Sequence, residues 1–132
     1  MDIKVSHKMG RVPITVLSII GDIDYSNHEQ LEKIAYQEIE DGARYILIDL
    51  AGVRFISSAA LRSMMRIFEK LRSASIEGSV EEMYKEINAG TYRSPHLKLY
   101  KPSRALAETM KIAGFDMILE IHNDLKAAIA SF

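Results

Sequence analysis

Two adjacent hydroxyls, Ser57 and Ser58, carry the most suggestive chemistry in the chain. They lie in Phe55-Ile56-Ser57-Ser58-Ala59-Ala60, between an apolar run and an amphipathic segment. A hydroxyl at such a junction can cap the free N–H groups of a helix start, and read without context that is the commoner role for Ser58. It can also carry a phosphoryl group, because a phosphate placed there meets unpaired N–H groups and the positive end of the helix dipole. Gly21-Asp22-Ile23-Asp24 supplies two carboxylates in a turn-forming pattern, expected on the same loop edge as Ser58. A phosphate adds a charge of about −1.5 to −2. Beside Asp22 and Asp24 that charge would add to two carboxylates already expected on the loop edge. Asp49 ends an apolar run, where it is expected to accept backbone bonds in the following turn. Arg62 and Arg66 lie one helical turn apart and read as solvated or as contacts for an acidic partner.

Other chemistries are set aside. The histidines, His7, His28, His96 and His122, are scattered, none at the i, i+4 spacing of a metal pair. Gly-x-Ser-x-Gly is absent, so neither serine sits on a hydrolase elbow. No Gly-rich phosphate loop precedes a helix, and there is no cysteine. No cofactor, no metal and no enzyme activity are expected. The net charge of −1 gives no global field for nucleic acid. No signal-peptide core or membrane-length apolar stretch is seen, which reads as a cytoplasmic protein.

The elements that must position these groups follow from periodicity. Residues 45–50, with Ile46, Leu47 and Ile48, read as a strand buried on both faces, as in parallel sheets. Leu61, Met64, Met65, Phe68 and Leu71 form the apolar stripe of the following helix. At the N-terminus, Ile3, Val5 and His7 alternate with polar residues, and after a Met9-Gly10-Arg11 turn residues 12–20 form a second, antiparallel strand. Pro13 is tolerable near a strand start. Ser26 or Asn27 is expected to cap a helix with Leu31, Ile34, Ala35 and Ile39 on its apolar side, stopped near Gly42. Residues 73–95 are rich in Ser, Gly and Glu and read as a loop insertion; only Val80, Met83, Tyr84 and Ile87 suggest a short helix, and Tyr84 and Tyr92 offer interface-type side chains. A strand over 96–100, a helix carrying Leu106 and Met110 and stopped by Gly114, a strand over 115–121 and a helix over 122–132 complete the order. The 132 residues thus form one α/β domain, a single mixed sheet with an N-terminal antiparallel hairpin strand, the remaining strands mostly parallel, and covering helices.

In that order, Gly21-Asp22-Ile23-Asp24 after the second strand and the run from Asp49-Leu50-Ala51-Gly52-Val53-Arg54 through Phe55-Ile56-Ser57-Ser58-Ala59-Ala60-Leu61 after the third resemble the STAS domain, in its bacterial anti-sigma-factor antagonist form. The stretch Ala105 to Phe115 also looks like that family's helix before its last strand. The resemblance implies a protein-binding switch that sequesters an anti-sigma-factor serine kinase of the ATP-binding switch type. Its phosphorylation falls at Ser58, with Ser57 as second choice, and a serine phosphatase reverses it. Asp22, Asp24, Ser26, Ser57, Ser58 and Arg62 are the implied partner contacts, on a monomer or weak dimer that binds no nucleic acid and does not enter a membrane. The chain departs from the pattern in three places: Ser57 where the family often has Asp, Ala60 where it usually has Gly, and the insertion at 73–95. The alternative within the same resemblance is a constitutive scaffold or regulatory subunit of a membrane transporter, without a phospho-switch. A receiver-like phospho-acceptor domain also pairs acids after a strand, but here they follow the second strand, behind a hairpin.

Overall fold

A computed structural model describes residues 1–75 and 79–132. Its strands are β1 (Asp2–Met9), β2 (Pro13–Ile20), β3 (Ile46–Gly52), β4 (Leu97–Tyr100) and β5 (Ile121–His122), and its helices are α1 (His28–Glu40), α2 (Ser58–Ala74), α3 (Val80–Ala89), α4 (Arg104–Ile112) and α5 (Leu125–Ser131). The strands lie in the order β1-β2-β3-β4-β5. β1 and β2 are antiparallel in register Asp2↔Ile20 to Met9↔Pro13, and the later pairs are parallel. The expected mixed sheet is therefore what forms.

Each parallel strand sits beside the one before it, so crossovers of one hand stack their helices on one face. On that face, Leu17, Ile19, Ile46, Ile48, Leu50, Leu97 and Leu99 meet Leu31 and Ala35 of α1, Met64, Ile67 and Phe68 of α2, and Leu106 and Met110 of α4. The alternate side chains Ile14, Val16 and Leu47 point to the other face, where Ala128 of α5 packs on them. Ile46, Leu47 and Ile48 are all inaccessible to solvent, which explains why β3 reads as a continuous apolar run rather than an alternating one.

Several local expectations need correction. The apolar stretch 115–121 is not a strand. Gly114, in the left-handed region at φ 83°, leads into a single 3₁₀ turn at Phe115–Met117. Phe115, Ile118 and Leu119 are the buried residues, a helical spacing rather than an alternating one. Pairing is confined to Ile121–His122. The last helix begins at Leu125 because the Asp124 side chain caps it, accepting the Ala127 N–H at 3.1 Å. In the 73–95 stretch, α2 runs on to Ala74 and α3 is a capped helix; residues 76–78 of the expected loop lie outside the described residues. Tyr92 is no surface side chain: it is buried and stands edge-on to Phe68, at 6.2 Å between ring centroids. Tyr84 is exposed.

Candidate functional site

Two loops leave the same edge of the sheet and are joined by backbone bonds. The Gly21 N–H donates to the Gly52 carbonyl at 3.0 Å, Ile23 N–H to the Phe55 carbonyl at 3.0 Å, and Ser57 N–H to the Ile23 carbonyl at 2.9 Å. Ile23 and Ile56 form a parallel bridge with both side chains buried. The Asp22-Asp24 turn therefore runs directly beside Ser57 and Ser58. Glycine is needed where the strands enter these loops. Gly21 has φ 103°, and a Cβ on Gly52 would sit 2.9 Å from the Ile19 carbonyl oxygen.

Asp24 organises the first loop. Its Oδ1 accepts the Ser26 hydroxyl at 2.6 Å and the Ser26 N–H at 2.9 Å. The Ser26 hydroxyl bond and then its backbone bond hold the Asp24 carboxyl below the usual carboxylate value. Asn27 accepts the Asp24 N–H at 2.8 Å and donates to the Asp22 carbonyl at 3.0 Å. Ser26 and Asn27 thus staple the loop instead of capping α1. Asn27 occupies the cap position, but its side chain makes no bond to the helix. Asp22 lies half-buried in the same turn.

The second loop divides the two serines. Ser57, in extended conformation at φ −78° and ψ 167°, accepts the Ala60 N–H on its Oγ at 3.1 Å and is the cap of α2. Ser58 is the first helical residue and is exposed, and its hydroxyl makes no hydrogen bond among the described residues. The cap expected of Ser58 falls to its neighbour because a capping oxygen must reach the N–H three residues on, from a residue still outside the helix. Asp49 also behaves differently from expectation. It accepts the Ala51 N–H at 3.0 Å, as foreseen, but β3 continues past it to Gly52, and the Ser18 hydroxyl donates to its other oxygen at 3.2 Å.

Along α2, Ser58, Arg62 and Arg66 follow one another at one-turn steps on a shared stripe. Arg62 is exposed and makes no ion pair among the described residues, whereas Arg66 lies 3.6 Å from Glu32 of α1. Both arginines and Ala59 line one wall of an open groove, opposite Tyr25, His28 and Glu29. Beneath it, His28 Nδ1 lies 2.8 Å from the buried Ser63 hydroxyl, which donates to Glu32 at 3.4 Å, a polar link between α1 and α2. The loop edge also presents apolar side chains that sequence reasoning did not single out: Tyr25 is 83% exposed, Ile20 64% and Phe55 55%. Exposed aromatics are enriched at interface cores. Their signal was available, since Tyr25 directly follows the first loop motif, Phe55 sits inside the second, and neither has a place in an apolar stripe.

A family model described as the STAS domain matches residues 6–88, a span that includes both loops and α2. The chain belongs to the STAS domain family. It is 29% identical over 112 residues to BtrV of Bordetella bronchiseptica, described as a candidate anti-sigma factor antagonist, covering 85% of this chain and 80% of that one. The fold is that of solved anti-sigma factor antagonists. One from Mycobacterium paratuberculosis superposes with a TM-score of 0.71 at 18% identity, over 98% of this chain and 93% of that one. The phosphorylated form of SpoIIAA, a Bacillus cell fate determinant, superposes with a TM-score of 0.63 at 14% identity, over 97% and 96% of the two chains. As a member of the STAS family, the chain is a binding and regulatory domain rather than an enzyme. Among the described residues, no helix is long and apolar enough to cross a membrane.

Proposed function

We propose that this STAS domain is an anti-sigma-factor antagonist that sequesters an anti-sigma-factor serine kinase of the ATP-binding switch type and is inactivated by phosphorylation at Ser58. The observation that carries the proposal is the division of labour between the two serines: Ser57 is committed to the helix cap, while Ser58, beside the Asp22-Asp24 loop, is exposed and its hydroxyl has no hydrogen-bond partner among the described residues. In the transfer, a bond forms between Ser58 Oγ and the γ-phosphorus of ATP, the bridging bond to ADP breaks, and the hydroxyl proton leaves to a base on the kinase. Asp22, Asp24, Ser26, Ser57, Ser58 and Arg62 form the polar part of the docking surface, with Tyr25 and Phe55 as its apolar anchors. A phosphate on Ser58 adds negative charge at the centre of that surface and releases the partner; a serine phosphatase restores binding. The chain acts as one domain over residues 1–132, as a monomer or weak dimer in the cytoplasm, with the 73–95 segment as an insertion, and contacts no nucleic acid itself.

The test is to isolate the protein from its host, map its phosphorylation by mass spectrometry and identify what co-purifies. A serine kinase bound to the unmodified protein, together with a phosphorylated pool carrying its phosphate on Ser58, is the expected result. An unmodified Ser58 with a transporter ATPase as the bound partner would replace this reading with that of a constitutive scaffold.

A further inference from the structure

Resting on the assignment of Ser58 as the phosphorylated residue, we propose that Arg62 is the intramolecular counter-ion of that phosphate, donating hydrogen bonds to its oxygens. The phosphorylated Ser58 and Arg62 then form a charge-assisted pair along α2, and the groove between α1 and α2 loses its free arginine in the same event.

Helix geometry sets up this pairing. Ser58 is the first residue of α2 and Arg62 lies four residues on, on the same side of the helix. Side chains on a helix lean toward its N-terminus, so a side chain as long as that of Arg62 can reach back over the turn that begins with Ser58. Arg62 is exposed and has no carboxylate partner among the described residues. Arg66, the next cation on the stripe, is already engaged, 3.6 Å from Glu32. Of the two arginines, Arg62 is the one a single turn from Ser58, and the one without an ion pair among the described residues. A guanidinium matches a phosphate in a forked, two-bond geometry, whereas an ammonium acts only as a point charge.

Other charged groups stand on the elements around Ser58. On α1, Glu29 opposes it from the far wall of the groove, and the His28 ring is tied to Ser63 at 2.8 Å. In the preceding loop, the Asp24 carboxylate is turned onto Ser26. Asp22 lies half-buried in the same turn, Arg54 is exposed in the loop before α2, and the charge of the Met1 amino group acts on Asp24; among these, Arg62 is the cation on α2 itself, one turn from Ser58. The pair also gives the switch a second component. Phosphorylation adds negative charge and, in the same step, withdraws Arg62 from any acidic group on the partner.

The experiment installs phosphoserine at position 58 directly, by expanded-code incorporation, so that it does not depend on any kinase. The second ionisation of the phosphate is followed by phosphorus NMR in the otherwise wild-type protein and in the Arg62→Gln, Arg62→Lys and Arg66→Gln variants, with the His28 ring protons recorded in the same titrations. The expected result is a phosphate that ionises about half a pH unit lower in the otherwise wild-type protein than in the Arg62→Gln variant, an intermediate value for Arg62→Lys, and little change for Arg66→Gln. Coincident phosphate titrations for the wild-type and Arg62→Gln backgrounds would overturn the pairing. They would leave the assignment of Ser58 standing, because that rests on phosphosite mapping and partner binding. Failure of the mapping to find phosphate on Ser58 in the host would remove the biological role and leave the measured pairing as chemistry only.

Discussion

Ser57 and Ser58 are chemically identical neighbours, yet the start of α2 gives them different work. Ser57 Oγ is held by the Ala60 N–H at 3.1 Å, and Ser58 Oγ makes no hydrogen bond among the described residues. Ser57→Ala should therefore destabilise the protein by about 1 kcal/mol through loss of the cap, whereas Ser58→Ala should stay within about 0.5 kcal/mol of wild type. Urea denaturation midpoints of the two variants check this, and the reverse order would mean that the cap is misassigned. That the serine pair stands at the start of α2 was legible in the sequence, because the hydroxyls fall between an apolar strand and an amphipathic helix. Which serine caps was not, since it depends on the residue at which the backbone turns helical. The same holds for Ser26 and Asn27. Both suit a cap, and only the folded loop shows them bonded to Asp22 and Asp24 instead.

At the scale of elements, β3 and α2 were readable because each carries an unbroken signal: the apolar run of Ile46, Leu47 and Ile48, and the stripe of Met64, Phe68 and Leu71. The segment after α4 was not. Its buried residues, Phe115, Ile118 and Leu119, are apolar enough for a strand, and their spacing alone betrays a turn. Lys98 shows the same gap between composition and place. It lies within β4 and is 2% exposed, because its register points it at the back face. There its Nζ donates to the Ser131 carbonyl at 2.8 Å, pairs with Glu120 at 2.9 Å and lies 4.8 Å from the Phe132 ring centroid. The partners are distant in sequence, so the pairing could not be read from the local pattern. Lys98→Met keeps the buried stem and removes the charge. It should loosen the end of α5 and cost about 1–3 kcal/mol in global stability, since Glu120 is only partly exposed and loses its cation. Amide hydrogen exchange across Leu125–Ser131 is the readout, with faster exchange there than across α1 expected.

For the whole molecule, the sheet separates two tasks. α1, α2 and α4 build the main core on one face, and the edge above that core displays the two loops. The other face is closed by α5 and the Lys98–Glu120 pair. That pair makes stability depend on pH. Burial pushes the Glu120 carboxyl up, but the hydrogen bond and charge of Lys98, followed by those of His122, outweigh this and hold it below its usual value. A carboxyl held down in the folded state stabilises fully above its unfolded value, about 4.3, and that contribution is lost as pH falls through the folded value. Glu120→Gln should thus be less stable than wild type at neutral pH, with the difference shrinking below about pH 4 in denaturation midpoints taken across the acid range. The pair and the buried core lie apart from the loop edge, so the phosphate proposed at Ser58 would add charge at the surface without displacing either. The central claim is tested most directly by the affinity of the co-purified serine kinase for the protein carrying serine or phosphoserine at position 58, measured by calorimetry on otherwise identical chains. The account expects the unmodified protein to bind at least about tenfold more tightly; equal affinities for the two forms would contradict it.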